Sequence, residues 1–137
     1  VVVVGSIDTT VYAFDAGTGW AIWRFRARSP IISSPIVHDS IVYIGSSDGC
    51  LYALDMNSGR QLWQFETAGQ VNSSPIVSQG AIYFGSTDGY IYSINVKKGG
   101  LRWKFNTNSP VISSPVVDEN GIIYIGSTNH VLYALPA

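Results

Sequence analysis

GSSDGCLYALDMNSGRQLWQF, residues Gly45 to Phe65, holds the key to the whole chain. It joins two apolar runs through glycine-bearing turns and ends on an alternating stretch around Trp63. Near copies stand on both sides of it. Gly5-Ser6, Gly45-Ser46, Gly85-Ser86 and Gly126-Ser127 follow one another at steps of 40, 40 and 41 residues. Trp23, Trp63 and Trp103 keep the step of 40, as do the Ser-Ser-Pro triplets at 33–35, 73–75 and 113–115. Tyr12, Tyr52, Tyr92 and Tyr133 follow too, the last step absorbing Gly121. Self-similarity at this period marks an array of one supersecondary unit and takes precedence over any short motif.

Inside a unit the pattern is strand after strand. Ser74-Pro75-Ile76-Val77 is a short apolar run, followed by a turn at 78–80. Ala81–Gly85 and Tyr90–Ile94 are apolar nearly throughout, as strands covered on both faces are, and Asp88-Gly89 between them is a hairpin signal. Leu101-Arg102-Trp103-Lys104-Phe105 alternates, which predicts one buried and one wet face. No stretch of ten residues carries a helical apolar stripe. Four short antiparallel strands per unit of about 40 residues describe a β-propeller blade. We name its strands A to D from the axis outward and expect units at about 1–32, 33–72, 73–112 and 113–137. The small Ser-Ser-Pro lead suits the crowded centre, where proline is tolerated at the first residue of a strand.

Of the 137 residues 46% are hydrophobic and only 12% charged, about half the usual charged fraction, so tight packing or a covering partner is expected. The net charge of −1 gives no electrostatic reason to seek a nucleic acid or an anionic membrane. No apolar run approaches the ~18 residues of a membrane span. Val1–Val4 is too short for a signal peptide and lacks a basic flank. A single cysteine, Cys50, forms no internal bridge.

Two stretches carry a family likeness. Ala13-Phe14-Asp15-Ala16-Gly17-Thr18-Gly19-Trp20-Ala21-Ile22-Trp23 fits A-x-D-x-x-T-G-x-x-x-W, and Ala53 to Trp63 fits it with Ser58 for threonine. With the Y-x-G-S-x-D-G lead-in, the chain resembles the PQQ-like (quinoprotein) β-propeller repeat over essentially its whole length. The third copy is degraded, with Ser93, Asn95 and Lys98 in place of Ala, Asp and Thr, although Gly99 and Trp103 remain. The fourth stops at Ala137, before any tryptophan.

The resemblance implies a docking role for Trp23, Trp63 and Trp103, each stacking between its own blade and the next blade's turn. Gly19, Gly59 and Gly99 permit that turn, and Asp15 and Asp55 accept its N–H groups. A large ring with one N–H donor suits an apolar slot with a single polar contact. Family members that are dehydrogenases hold pyrroloquinoline quinone and calcium at the axis, using vicinal cysteines, an axial tryptophan, an Asp base and Glu and Asn ligands. No such residue can be carried over here. The carboxylates outside the repeat are Asp39, Glu66, Asp118 and Glu119, and Trp20 lies away from the axis. We expect no cofactor, and no catalytic or metal residue, in this segment.

Other constellations read as scaffold. G-S-x-D-G has one carboxylate where a calcium loop needs several oxygens. Gly17-Thr18-Gly19 begins like a dinucleotide fingerprint, but Ile22 stands where the third glycine belongs. His38 and His130 fall in different blades, and Ser33, His38 and Asp39 lack a nucleophile elbow. Arg24, Arg26 and Arg28 alternate, which places them on one face of an outermost strand. They are read as protection of that edge, or as a docking patch for an acidic partner.

The strand count is three in the first unit, four in the next two and three in the last. An open array leaves its end faces uncovered. With no start methionine, the chain is expected to be part of a longer propeller of seven or eight blades, or half of a homodimer closing an eight-bladed ring. The expected function is a non-catalytic scaffold for protein–protein interaction or ligand sensing. The resemblance suggests relatives such as the outer-membrane assembly lipoprotein or kinase-attached sensor propellers, and an extracytoplasmic setting. The alternative is a fragment of a quinone- and calcium-dependent alcohol or sugar dehydrogenase whose catalytic blades lie elsewhere.

Overall fold

The computed structural model describes residues 1–137 and contains fourteen strands and no helix. The first sheet comprises β1 (Val2–Gly5), β2 (Thr10–Phe14) and β3 (Ala21–Arg26). The second has β4 (Ile36–His38), β5 (Ile41–Gly45), β6 (Cys50–Asp55) and β7 (Gln61–Glu66). The third repeats it with β8 (Ile76–Ser78), β9 (Ala81–Gly85), β10 (Tyr90–Asn95) and β11 (Leu101–Asn106). The fourth has β12 (Val116–Val117), β13 (Ile122–Gly126) and β14 (Leu132–Pro136). Every sheet is an antiparallel meander in chain order. This is a β-propeller arc, with A strands β4, β8 and β12 adjoining one another at the axis.

Local chemistry sets each turn. At the second B–C hairpin, Gly49 at φ +97 donates its N–H to Ser46 O, and Ser46 N–H donates to Cys50 O. In the C–D turn Asp55 Oδ1 accepts the N–H groups of Asn57 and Ser58 at 2.8 and 2.9 Å, and Gly59 at φ +73 closes the loop. A β-bulge recurs where each C strand meets its D strand, at Ala13/Phe14, Ala53/Leu54 and Ser93/Ile94. Bulges raise local twist, which a blade requires.

The core lies between the sheets. Val11, Ala13 and Trp23 of the first sheet pack on Val42, Ile44, Cys50, Tyr52 and Leu54 of the second. Tyr43, Leu51 and Ala53 face Ile82, Phe84, Tyr92 and Ile94 of the third. Two smaller clusters, around Tyr83 with Ile123 and around Val111 with Ile125, join the third to the fourth. Central strands are therefore covered on both faces, and β9 is buried along its whole length. The end sheets keep one apolar face uncovered. Val2 and Val4 are 47% and 41% exposed, whereas Val42 and Ile44, one repeat on, are fully buried.

Candidate functional site

The joints between blades absorb most of the recurring residues. The Trp23 indole lies against Gly59 in the turn of the second sheet, and its Nε1–H donates to Met56 O at 2.7 Å. Trp63 lies in the same way against Gly99 of the third sheet, but its Nε1–H is buried without a partner. Tyr43, one repeat on from Val3, occupies that joint. Its ring sits 5.8 Å from Trp63, and its hydroxyl lies 3.5 Å from Val96 O, the counterpart of Met56 O. Trp103 packs on Tyr83 and borders an open cleft of about 290 Å³ with Lys104, Phe105, Leu135 and Pro136. Gly19 sits in an equivalent turn at φ +75, with no neighbour within 4 Å of where a Cβ would be.

The recurring carboxylates are engaged as well. Asp15 Oδ1 accepts the N–H groups of Gly17 and Thr18, both at 2.8 Å. Those backbone donors hold the Asp15 and Asp55 carboxyls below the ordinary carboxylate range. Asn95, at the corresponding place in the third copy, accepts only Lys97 N–H. The aspartates of the B–C hairpins do more than shape their turns. Asp8, Asp48 and Asp88 each accept the hydroxyl of a tyrosine four residues on, Tyr12, Tyr52 and Tyr92. Asp48 Oδ2 also accepts Arg28 N–H, and Asp88 Oδ2 accepts Ala68 N–H, both at 3.2 Å. Each thus holds the end of the preceding sheet. Sequence reasoning read these residues as turn formers and missed this reach, although their recurrence was its signal.

Serines run along the axis. Ser33 Oγ is pinned to Gly45, donating to its O at 2.8 Å and accepting its N–H at 2.9 Å; Ser113 holds Gly126 likewise. Ser34 N–H donates to Ser74 Oγ at 2.8 Å, and Ser74 N–H donates to Ser114 Oγ at 2.9 Å. His38 and Asp39 sit 3.3 Å apart on the exposed A–B turn, and Ser33 Oγ bonds to neither.

The three arginines do not form one patch. Arg24 and Arg26 lie exposed on β3, Arg24 with its guanidinium 5.9 Å from the Tyr12 ring centre. Arg28 is beyond the strand, because β3 ends at Arg26 and Ala27 N–H turns inward to Thr9 O. Its Nε is 3.9 Å from Asp48 Oδ2 and its Nη2 donates to Cys50 Sγ at 3.6 Å, which ties it to the second sheet. No three His, Cys, Asp or Glu side chains gather where they could hold a metal ion.

Antiparallel sheets of this order, packed face to face with their innermost strands side by side at an axis, define a β-propeller. The chain belongs to the PQQ-like repeat family described as outer membrane protein assembly factor BamB, whose model matches residues 1–137. No curated protein sequence matches it. Among solved structures it is similar to BamB from Moraxella catarrhalis, with TM-score 0.82 and 22% identity over 98% of this chain and 41% of that one. It is also similar to the computationally designed Ika8 protein, with TM-score 0.86 and 20% identity over 98% of this chain and 42% of that one. The designed Ika4 protein gives the same TM-score and identity, with 83% of its length covered. The chain thus spans about two-fifths of the length of the first two.

Proposed function

We propose that this chain is a segment of a non-catalytic β-propeller that presents its rim and faces to other proteins. The observation that carries this reading is the engagement of the repeated polar and aromatic groups in joints and turns. Asp15, Asp55, Asp48 and Asp88 bind backbone N–H groups, and Ser33 is locked to Gly45. What stays exposed and chemically distinct is the rim pair Arg24 and Arg26, and apolar residues such as Ile32 and Ile112 beside the axis. Membership of the family of an assembly factor supports protein binding and an extracytoplasmic setting. No helix is long and apolar enough to cross a membrane. No residue here favours the dehydrogenase reading.

The vacant turn around Gly19 supports a ring that continues beyond the first sheet. Its seat is shaped for an indole, as Gly59 and Gly99 show.

Site-specific photo-crosslinkers at Arg24 and at Ile32, introduced into the parent chain in its own cells, test the scaffold. The expected result is a discrete protein adduct at one of these positions, lost on replacing the neighbouring exposed residues. No adduct from either position, with quinone-dependent dye reduction by the purified parent, would overturn the reading.

A further inference from the structure

We propose that the C–D turn of the third sheet, Asn95 to Gly100, is a binding site for the carboxylate of an acidic protein segment. The three C–D turns share one backbone, and Gly19, Gly59 and Gly99 take φ of +75, +73 and +69 in them. They differ in how their N–H groups are satisfied. In the first, Asp15 Oδ1 accepts Gly17 and Thr18 N–H, and Thr18 Oγ1 accepts Trp20 N–H at 3.2 Å. In the second, Asp55 Oδ1 accepts Asn57 and Ser58 N–H, and Ser58 Oγ accepts Arg60 N–H at 3.2 Å. Both acceptors change in the third. Asn95 Oδ1 accepts Lys97 N–H alone, and Lys98 has no hydroxyl to offer Gly100. The N–H groups of Lys98 and Gly100 therefore find no acceptor within the protein.

The same residues line a basic cleft. It measures about 290 Å³ and is walled by Asn95, Lys97, Lys98 and Gly100, with no carboxylate among them. Between Asp88 and Asp118 the chain has no Asp or Glu but four of its eight Lys and Arg. The two on β11 are engaged elsewhere. Arg102 donates to the Tyr83 hydroxyl and to Ser93 Oγ, and Lys104 Nζ lies 4.5 Å from the Tyr90 ring centre. Lys97 and Lys98 are exposed and unpaired, because the ion pairs of the structure are Arg28–Asp48 and His38–Asp39. One cleft thus gathers two cations and two unsatisfied donors, the set that charge-assisted hydrogen bonds to an anion use. The other turns identify the anion, since the acceptor of the N–H corresponding to Lys98 is there a carboxylate oxygen. A net charge of −1 and a turn with two lysines do not supply the many phosphate contacts of a nucleic-acid site. The turn belongs to a four-stranded sheet and is seated on Trp63 of another, so its preceding neighbour is in place.

The inference deepens the scaffold reading, on which it rests for the source of the carboxylate. A capped tetraglutamate peptide, titrated into the whole chain and followed by amide NMR shifts, tests the cleft itself. The Lys98 and Gly100 amides should move saturably, while their counterparts at Thr18, Trp20, Ser58 and Arg60 stay in place. A tetraglutamine peptide should move none of them. Asn95→Asp/Lys98→Thr gives the third turn the acceptors of the first, so it should keep the fold and weaken binding about tenfold or more. Lys104→Gln, a charge change outside the cleft, should alter affinity about twofold at most in about 0.15 M salt, where screening acts over about 8 Å. Equal shifts in all three turns, unchanged affinity in the double variant, or tighter binding of inorganic phosphate than of the peptide overturns the site. Peptide binding as expected, with no protein adduct from the parent chain in its cells, would count against the scaffold reading and leave the site standing.

Discussion

Trp23 lies so close to Gly59 that a methyl group on that glycine would sit 2.5 Å from the ring atoms Cδ2 and Cε3. Gly19 has nearly the same backbone, φ +75 against +73, and no ring above it. The pair separates two effects. Gly19→Ala should lose about 1–2 kcal/mol in urea unfolding, from the left-handed backbone alone. Gly59→Ala should lose about another 1–3 kcal/mol by displacing the indole. Equal losses would mean that the ring contact contributes nothing. In a parent chain with a preceding blade, Gly19→Ala should become as damaging as Gly59→Ala.

The two fully seated indoles differ in one hydrogen bond, and that difference is measurable. Trp23 Nε1–H donates to Met56 O, while Trp63 Nε1–H is buried and unpaired. Trp23→Phe leaves Met56 O without its partner, whereas Trp63→Phe removes a group that already lacks one. We expect Trp23→Phe to be the more damaging by about 1 kcal/mol or more. Trp63→Ala, which empties the slot, should lose about 3–5 kcal/mol. Trp63→Ala as stable as the parent in urea would refute the docking role.

Thr9 occupies the place of Gly49 and Gly89 in its hairpin and takes a φ of +79, unfavourable for a β-branched residue. Its hydroxyl is buried without a partner. Thr9→Gly should therefore stabilise the protein. Relief of about 1–2 kcal/mol of backbone strain is partly offset by the freer unfolded chain, which leaves a net gain of about 1 kcal/mol. Thermal unfolding of the variant checks the sign, and a lower midpoint would contradict this account.

These positions also show where sequence reasoning reached and where it stopped. The sheet order was legible because apolar runs, Asp-Gly turns and Ser-Ser-Pro leads recur at a fixed step, and repetition averages out local ambiguity. The meeting of Trp23 with Gly59 was an implication of family likeness, since no local rule places residues of two different sheets together. The links from Asp48 to Arg28 N–H and from Ser34 N–H to Ser74 Oγ were not legible. They depend on how far one blade is rotated from the next, and a strand pattern carries no information on that angle. Alternation put Arg28 on the face of Arg24 and Arg26. It failed because a strand's period holds only to the strand's end, and β3 ends two residues earlier.

Tyr52 and Tyr92 supply a pH dependence. Burial, reinforced by donation of each hydroxyl to Asp48 or Asp88, raises both phenols above the ordinary value of 10.0. The neutral phenol is the form the fold favours, so its contribution is complete below pH 10. Above that the unfolded chain releases these protons first, and stability falls as pH rises toward the folded-state values. The urea midpoint should drop between about pH 10 and 12. The Tyr52→Phe/Tyr92→Phe variant should have a flatter profile over that range, while Asp48 keeps its bonds from Arg28 N–H and Cys50 N–H. Absorbance at alkaline pH should show two fewer late-titrating phenols in the variant. Identical slopes for the two proteins would show that these hydroxyls are not held as the joints require.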